Sequence, residues 1–363
     1  MKNYIPSLNM EGRTITDQKG KEEAFYNAYK ELLGKDVARE YSLDLEGLGV
    51  PHVDLSEQDR IFTEEEVWAV IKDLPSDKAP GPDGFIGLFF QKSWEVIKED
   101  LMAAIHKLFI GNGRGFGRLN QALITRLPKS PDASSVFDFR PISLVHSMPK
   151  IASKLLTSRL RPRMGELVQV NQSAFIKGRC LHDNFLLVRQ VARMMHKRKA
   201  KCVLLKLDIT KAFDSLSWPF LFEVLRAKGF SERWISWVAT LLTTASSRVI
   251  VNGCAGDNFM HAKGLRQGDS ISPLLFVIAM DVLMAIVVKA HEDRVLSTIN
   301  GCSPVQRLSL YADDVVLFIK PTRPNLLVVK ETLTIFGVAS GLKVNFAKSA
   351  AIMIRAEPQD EEI

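Results

Sequence analysis

An α+β protein is what this sequence predicts, on three observations. Apolar runs of strand composition recur along its second half. Stretches with apolar residues at helical spacing lie before, between and after them. Two of the runs, Leu308 to Tyr311 and Val315 to Phe318, are separated only by Ala312-Asp313-Asp314, the spacing of a tight hairpin.

Bulk properties narrow the class. A chain of 363 residues is long for one compact core, so one large multi-lobed unit or two domains is expected. With 46% hydrophobic and 25% charged residues the composition is that of an ordinary globular protein. The net charge of +7 suits a polyanionic partner. Cys180, Cys202, Cys254 and Cys302 are far apart and include no Cys-x-x-Cys, which argues against a zinc site or disulfide scaffold and for a reducing compartment. No signal peptide opens the chain. The longest apolar run, Leu274 to Val288, is broken by Asp281 and reads as a buried helix too short to span a bilayer, so an intracellular protein without a membrane partner, nuclear or cytoplasmic and not secreted, is expected.

The elements follow in chain order. Phe25, Tyr26, Tyr29, Leu32 and Leu33 predict a helix over 19–33 that Gly34 stops. After a polar loop, Thr63 and Glu66 form a capping box ahead of Val67, Val70 and Ile71. Two prolines and two glycines make Asp77 to Phe85 an irregular loop, which either presents Lys78 to a phosphate or serves as a rigid connector. The glycine-rich run Gly111 to Gly117 follows a helical stretch rather than a strand, the wrong context for a dinucleotide site, and no P-loop motif occurs. Ala122 to Lys129 and Phe139 to Leu144 read as strands with outward basic side chains. Pro149 to Met164 reads as a basic helix whose Lys150, Lys154, Arg159, Arg161 and Arg163 suit backbone phosphates. A polar, basic segment, Asn171 to Arg179, comes next.

Val203 to Ile209 is an almost unbroken apolar run, a buried strand that delivers Asp208 near its end. Trp218, Leu221, Phe222 and Leu225 mark a helix capped by Ser217 and stopped by Gly229. Trp234, Ile235, Val238, Leu241 and Leu242 mark another. Short strands near 248–251 and 258–261 lead through the loop Gly264 to Pro273 into the long apolar helix. A helix over 325–340 ended by Gly341, a last strand over 350–354 and a disordered acidic tail, Glu357 to Glu362, complete the chain.

Asp313 and Asp314 are open to two readings. A hairpin tip is an ordinary place for Asp, and an exposed turn explains the pair. If enclosed, two adjacent carboxylates call for a hard divalent cation. Asp208 adds a third carboxylate, and the three together make a cradle for two magnesium ions, roughly 3.5–4 Å apart in such sites, with manganese as an alternative.

At these residues the chain resembles reverse transcriptases, most closely those of plant LINE-type non-LTR retrotransposons. The matching stretches are Asp77 to Phe85, Phe139 to Leu144, Gln172 to Asn184, Leu207 to Asp214, Gly264 to Phe276, Tyr311 to Asp314 and Gly341 to Ser349, in the family's order. The resemblance implies a right-hand polymerase fold, fingers plus palm, with an antiparallel palm sheet backed by helices. It divides the chain into an N-terminal helical extension (1–76), fingers (77–200), palm (201–356) and tail (357–363). It implies an RNA-directed DNA polymerase that takes an RNA template, a DNA primer and deoxynucleoside triphosphates. Asp208 and Asp313 become ligands of both metal ions, with Asp314 carrying the lightest load. Phe213 becomes the aromatic gate under the sugar. Arg140 and Lys129 meet the triphosphate, Gln267 lies near the incoming nucleotide, and Lys343 assists pyrophosphate departure. Ser270 stands where many relatives have proline. Neither the endonuclease domain that usually precedes this region nor a thumb is found in the sequence, which points to a gene fragment or a degraded element copy. The alternative is a non-catalytic nucleic-acid-binding remnant. An RNA-synthesising polymerase is opposed by Phe213, whose ring would collide with a ribose 2′-hydroxyl.

Overall fold

The computed structural model describes residues 4–10, 12–36, 39–111, 113, 115–299 and 301–355. The acidic tail lies outside them, as do Asn112 and Arg114 of the glycine-rich run. In chain order the elements are β1 (Leu8–Met10), β2 (Arg13–Ile15), α1 (Gln18–Leu33), α2 (Glu64–Lys72), α3 (Gly87–Lys92), α4 (Trp94–Ile110), β3 (Gln121–Pro128), β4 (Phe139–Val145) and α5 (Ser147–Leu160). There follow α6 (Met164–Leu167), α7 (Leu181–Lys197), β5 (Cys202–Leu207), α8 (Ala212–Ser215), α9 (Trp218–Ala227), α10 (Glu232–Thr243), β6 (Ser246–Val251) and β7 (Cys254–Met260). The chain continues through α11 (Ser272–Glu292), β8 (Leu308–Tyr311), β9 (Asp314–Ile319), α12 (Arg323–Ser340) and β10 (Ala350–Ile354).

These elements gather into two compact units. One comprises residues 1–36, 57–159 and 231–272, the other residues 37–56, 160–230 and 273–363. The blocks expected from sequence, 1–76, 77–200 and 201–356, are contiguous, whereas the units interleave. Residues 231–272 join the first unit because β6, which follows β5 in sequence, pairs in parallel with β3.

In the first unit, the described strands form a sheet of order β4-β3-β6-β7 beside the β1-β2 ribbon. Helix α1 lays Phe25 and Tyr29 over Val249, Val251 and Phe259 of that sheet. Arg126, expected to point outward from β3, is instead buried there. Its guanidinium sits 3.9 Å from the centre of the Phe25 ring and Nε donates to Ile250 O at 3.0 Å. Burial lowers its pKa to about 10. The capping box of Thr63 and Glu66 forms as expected. Asp83 Oδ2 accepts the Ser147 amide at 2.5 Å, and a Cβ on Gly81 would meet Val145 O at 2.0 Å. The loop before α3 is thus fastened to the start of α5, as a connector is, while Lys78 stays exposed.

Three of the five basic residues in and after α5 form ion pairs. Within the first unit, Lys154 pairs with Asp73 at 2.8 Å and Arg159 with Glu66 at 2.8 Å. Within the second, Arg163 pairs with Glu166 at 2.8 Å. Of the five residues the sequence offered to backbone phosphates, these three are thus engaged in ion pairs, while Lys150 is half-buried and Arg161 exposed.

In the second unit the described strands form an antiparallel sheet of order β10-β5-β9-β8. Helix α11 runs for 21 residues, longer than the sequence suggested and long and apolar enough to cross a bilayer. It is buried in this unit, and its one acidic interruption is compensated. Asp281 takes Lys228 Nζ at 2.6 Å and the Gln169 amide at 2.9 Å, while the same Nζ donates to Leu167 O at 2.6 Å. Such pairing is the condition for burying charge. Gly341 ends α12 in the left-handed conformation at φ +82°, with Ser215 O only 2.2 Å from where a Cβ would stand.

Candidate active site

The carboxylates are placed by one sheet of the second unit. Strand β5 pairs with β9 in antiparallel register, Leu207 opposite Val315. Continuing that register by one residue sets Asp208 across from Asp314. Tyr311 of β8 pairs with Asp314 of β9, so Ala312 and Asp313 alone make the turn. Asp208 lies one residue beyond β5 and is exposed. The sequence put it on a buried strand. The strand buries Leu207 but exposes Lys206, and the alternation carries Asp208 outward.

Asp208 is fixed by its backbone. Its N–H donates to Ser349 Oγ at 3.1 Å and its carbonyl accepts the Asn345 amide at 2.8 Å. One step on, Thr210 N donates to Lys343 O at 2.9 Å, and Ile209 bridges to Val344. The segment of Lys343 therefore runs beside Asp208, with its side chain exposed.

The hairpin tip is held from behind by residues between Asn171 and Asn184, to which the sequence assigned no individual role. Ala312 takes φ +53°, a left-handed conformation costly for a residue with a Cβ. Its amide donates to Oε1 of the fully buried Gln172 at 3.1 Å, and the same oxygen accepts the Ala174 amide at 3.0 Å. Asn184 Nδ2 donates to Leu310 O at 2.8 Å and Asn171 Nδ2 to Leu308 O. A buried side-chain amide has few reasons to be buried other than the backbone groups it satisfies.

Like charges meet at the tip. Partial burial pushes the Asp313 carboxyl above its usual range, and Asp314 and Asp208 push it further, against the lowering influence of its own backbone amide. Among the described residues no three His, Cys, Asp or Glu side chains close into a ready cage for an ion. The donor set nevertheless fits a hard divalent cation: three carboxylates, all oxygen, close enough for their charges to be felt at Asp313.

Phe213 sits half-buried on α8, its ring stacked on buried Phe276 at 4.5 Å and 17°. Asp208, Asp313, Asp314, Phe213 and Lys343 thus share one unit. Lys129, Arg140 and Gln267 belong to the other. Arg140 is exposed on β4, and Ser143 of the same strand donates its amide to Gln267 O at 3.3 Å, bringing the Gly264 to Pro273 loop to that strand. Lys129 Nζ donates to Phe137 O at 2.7 Å. Arg266, beside Gln267, is buried and gives Nη1 to Asn120 Oδ1 at 2.5 Å and Nη2 to Asn120 O at 2.5 Å, which anchors the loop.

The sheet thus joins a strand-end aspartate to an Asp-Asp hairpin, the arrangement that the reverse transcriptase resemblance implies. Comparison with known proteins narrows the class. Residues 127–362 match the family described as reverse transcriptase (RNA-dependent DNA polymerase). The chain is 26% identical over 348 residues to an uncharacterised 149 kDa protein of transposon TX1 from Xenopus laevis, covering 94% of this chain and 26% of that protein. It is 29% identical over 304 residues to a retrovirus-related Pol polyprotein from the type-2 retrotransposable element R2DM of Drosophila melanogaster, covering 82% and 28%. A shorter match, 36% over 67 residues, is to an uncharacterised mitochondrial protein of Arabidopsis thaliana, covering 18% of this chain and 55% of that protein. The chain belongs to the reverse transcriptase family. It spans about a quarter of the length of the first two relatives.

Proposed function

We propose that this chain is the polymerase region of a plant LINE-type non-LTR retrotransposon, and that it copies an RNA template into DNA from a DNA primer by nucleotidyl transfer within the cell. The observation that carries the reading is the sheet register that sets Asp208 at the end of β5 against the Asp313–Asp314 hairpin. These three residues would hold two magnesium ions, or manganese. When bound, the ions activate the primer 3′-hydroxyl and neutralise charge on the departing pyrophosphate.

The chain's own residues position and select. The Phe213 ring, braced by Phe276, lies under the sugar and excludes a 2′-hydroxyl. Arg140 offers a bidentate fork to the triphosphate. Lys129 gives up its bond to Phe137 O to do the same as a point charge. Gln267 contacts the incoming nucleotide, and Lys343 supplies positive charge to the leaving group. The match to the Arabidopsis protein supports the plant assignment.

Primer extension on an RNA template with magnesium tests the reading. Asp208→Asn and Asp313→Asn should each lower extension by at least roughly a hundredfold, the scale on which a lost transition-state contact is felt, while the fold and template binding persist. Extension at near wild-type rate by either variant would sink the assignment. A chain that binds template and never extends would instead be the nucleic-acid-binding remnant.

A further inference from the structure

Positive charge is not spread evenly along this chain. From Asn184 to Leu207 there is no Asp or Glu, and there are seven Lys or Arg, as many charges as the net +7 of all 363 residues. The structure puts the helical part of this charge on one surface. Helix α7 buries Asn184, Val191 and Met195 and turns His182, Phe185, Leu186, Arg189, Arg193 and Lys197 to solvent. Val191 and Met195 pack with Cys202, Ile299 and Phe318 of the same unit, so the inward face is committed, while the outward face is exposed and carries one hydrogen bond, between Arg355 Nη2 and His196 Nε2 at 2.8 Å.

Two features separate this face from an ordinary solvated one. Among the described residues, Arg189, Arg193 and Lys197 make no ion pair, whereas Lys154, Arg159 and Arg163 all do. Arg193 and Lys197 also help to line a 280 Å³ depression with Gln190 and Met194. The three charges recur every four residues, a step of about 6 Å along the axis. One turn before Arg189, the Phe185 ring is 61% exposed. Evenly spaced unpaired cations next to an exposed aromatic match a polymer with an anion on every unit and a flat base to stack, and match an acidic protein surface less well.

We infer that the outward face of α7 binds a single-stranded RNA segment, its phosphates on Arg189, Arg193 and Lys197 and a base on Phe185, apart from the residues assigned to nucleotidyl transfer. That the strand is RNA rests on the polymerase reading. The contact is to backbone and base face, so it is tolerant of sequence.

The test uses the full chain carrying Asp313→Asn, so that binding is read without extension. Fluorescence anisotropy with a short oligouridylate over a series of KCl concentrations gives the slope of log affinity against log salt. Removing three phosphate contacts with Arg189→Gln, Arg193→Gln and Lys197→Gln together should reduce that slope by about 2. Phe185→Ala should weaken binding at least about fivefold. A control with equal charge loss elsewhere, Lys19→Gln, Lys35→Gln and Lys72→Gln, should leave the slope in place. A slope unchanged by the α7 substitutions, or reduced as much by the control, overturns the proposal. So does tighter binding of duplex than of single-stranded RNA, indifference to Phe185→Ala, or competition by polyglutamate as effective as by RNA. Extension by the unmodified chain is scored separately: a chain that shows the slope and never extends defeats the polymerase reading and leaves this surface standing.

Discussion

Gln172→Leu isolates the support of the hairpin from the carboxylates themselves. Leucine keeps roughly the volume of the buried side chain and removes its oxygen, so the amides of Ala312 and Ala174 lose their acceptor. A buried donor left unsatisfied costs about 1–3 kcal/mol, so the two together cost about 2–6. Gln172 Nε2 is itself buried without a partner, and removing it recovers about 1–3 kcal/mol of the same kind. The net expectation is a loss of about 2 kcal/mol in urea denaturation. A functional effect should exceed this thermodynamic one, because Ala312 holds φ +53° in the turn that presents Asp313. Once its amide is released the turn relaxes, and the magnesium concentration for half-maximal extension should rise. Ala312→Gly in the same background should recover about 1 kcal/mol, since glycine tolerates the left-handed conformation. If Gln172→Leu leaves both stability and magnesium dependence at wild-type values, the bracing argument is wrong. If stability alone falls, Gln172 is a core residue and nothing more.

Phe213→Val should admit ribonucleotides while deoxynucleotide incorporation falls only modestly, measured as the ratio of the two rates; a folded variant that still refuses ribonucleotides removes the gate role. Lys228→Met or Asp281→Leu alone should cost about 3–5 kcal/mol in denaturant unfolding, because each strands a buried charge, and the double substitution should cost less than the sum. Simple additivity would show that the two charges are not coupled. For Asp313 the folded-state pKa is raised, so its ionised form penalises the fold above that pKa and the penalty vanishes below the unfolded pKa. Asp313→Asn should therefore raise the Tm of the metal-free protein at neutral pH, with the gain lost as pH falls below the ordinary carboxylate range; a gain that persists in acid would contradict the charge argument.

What the sequence made legible was punctuated or periodic. The Thr63–Glu66 box, the Gly34 and Gly341 stops and the Asp-Asp hairpin each rest on local chemistry, and each stands where it was expected. Helix α7 escaped notice although Val191 and Met195 line its buried side, because exposed Leu181, Phe185 and Leu186 blur the apolar stripe. Arg126 looked like a surface charge because no local pattern reveals that Phe25, a hundred residues earlier, will cover it. The interleaving of the units was hidden for the same reason: the parallel pairing of β6 with β3 depends on partners more than a hundred residues apart.

The segment Asn171 to Ser173, polar in sequence, has a structural task. In the second unit's sheet, β8 is an edge strand and would present a row of unpaired carbonyls and amides. Leu310 N donates instead to Asn171 O at 3.0 Å, Ser173 N donates to Leu310 O at 3.2 Å, and Gln172 bridges to Leu310 in parallel. Asn184 Nδ2 adds bonds to Asn171 O at 3.0 Å and Ser309 Oγ at 2.8 Å. The backbone of residues 171–173 therefore closes the edge at Leu310, and the Asn171 and Asn184 side-chain amides add bonds to Leu308 O, Ser309 Oγ and Leu310 O. They do so at the strand that ends in Tyr311, so the order they impose passes directly into the turn of Asp313 and Asp314. An apolar residue at 171, 172 or 184 would keep the backbone bridge but lose the side-chain bond to Leu308 O, the Ala312 amide or Ser309 Oγ, and so these buried positions are polar.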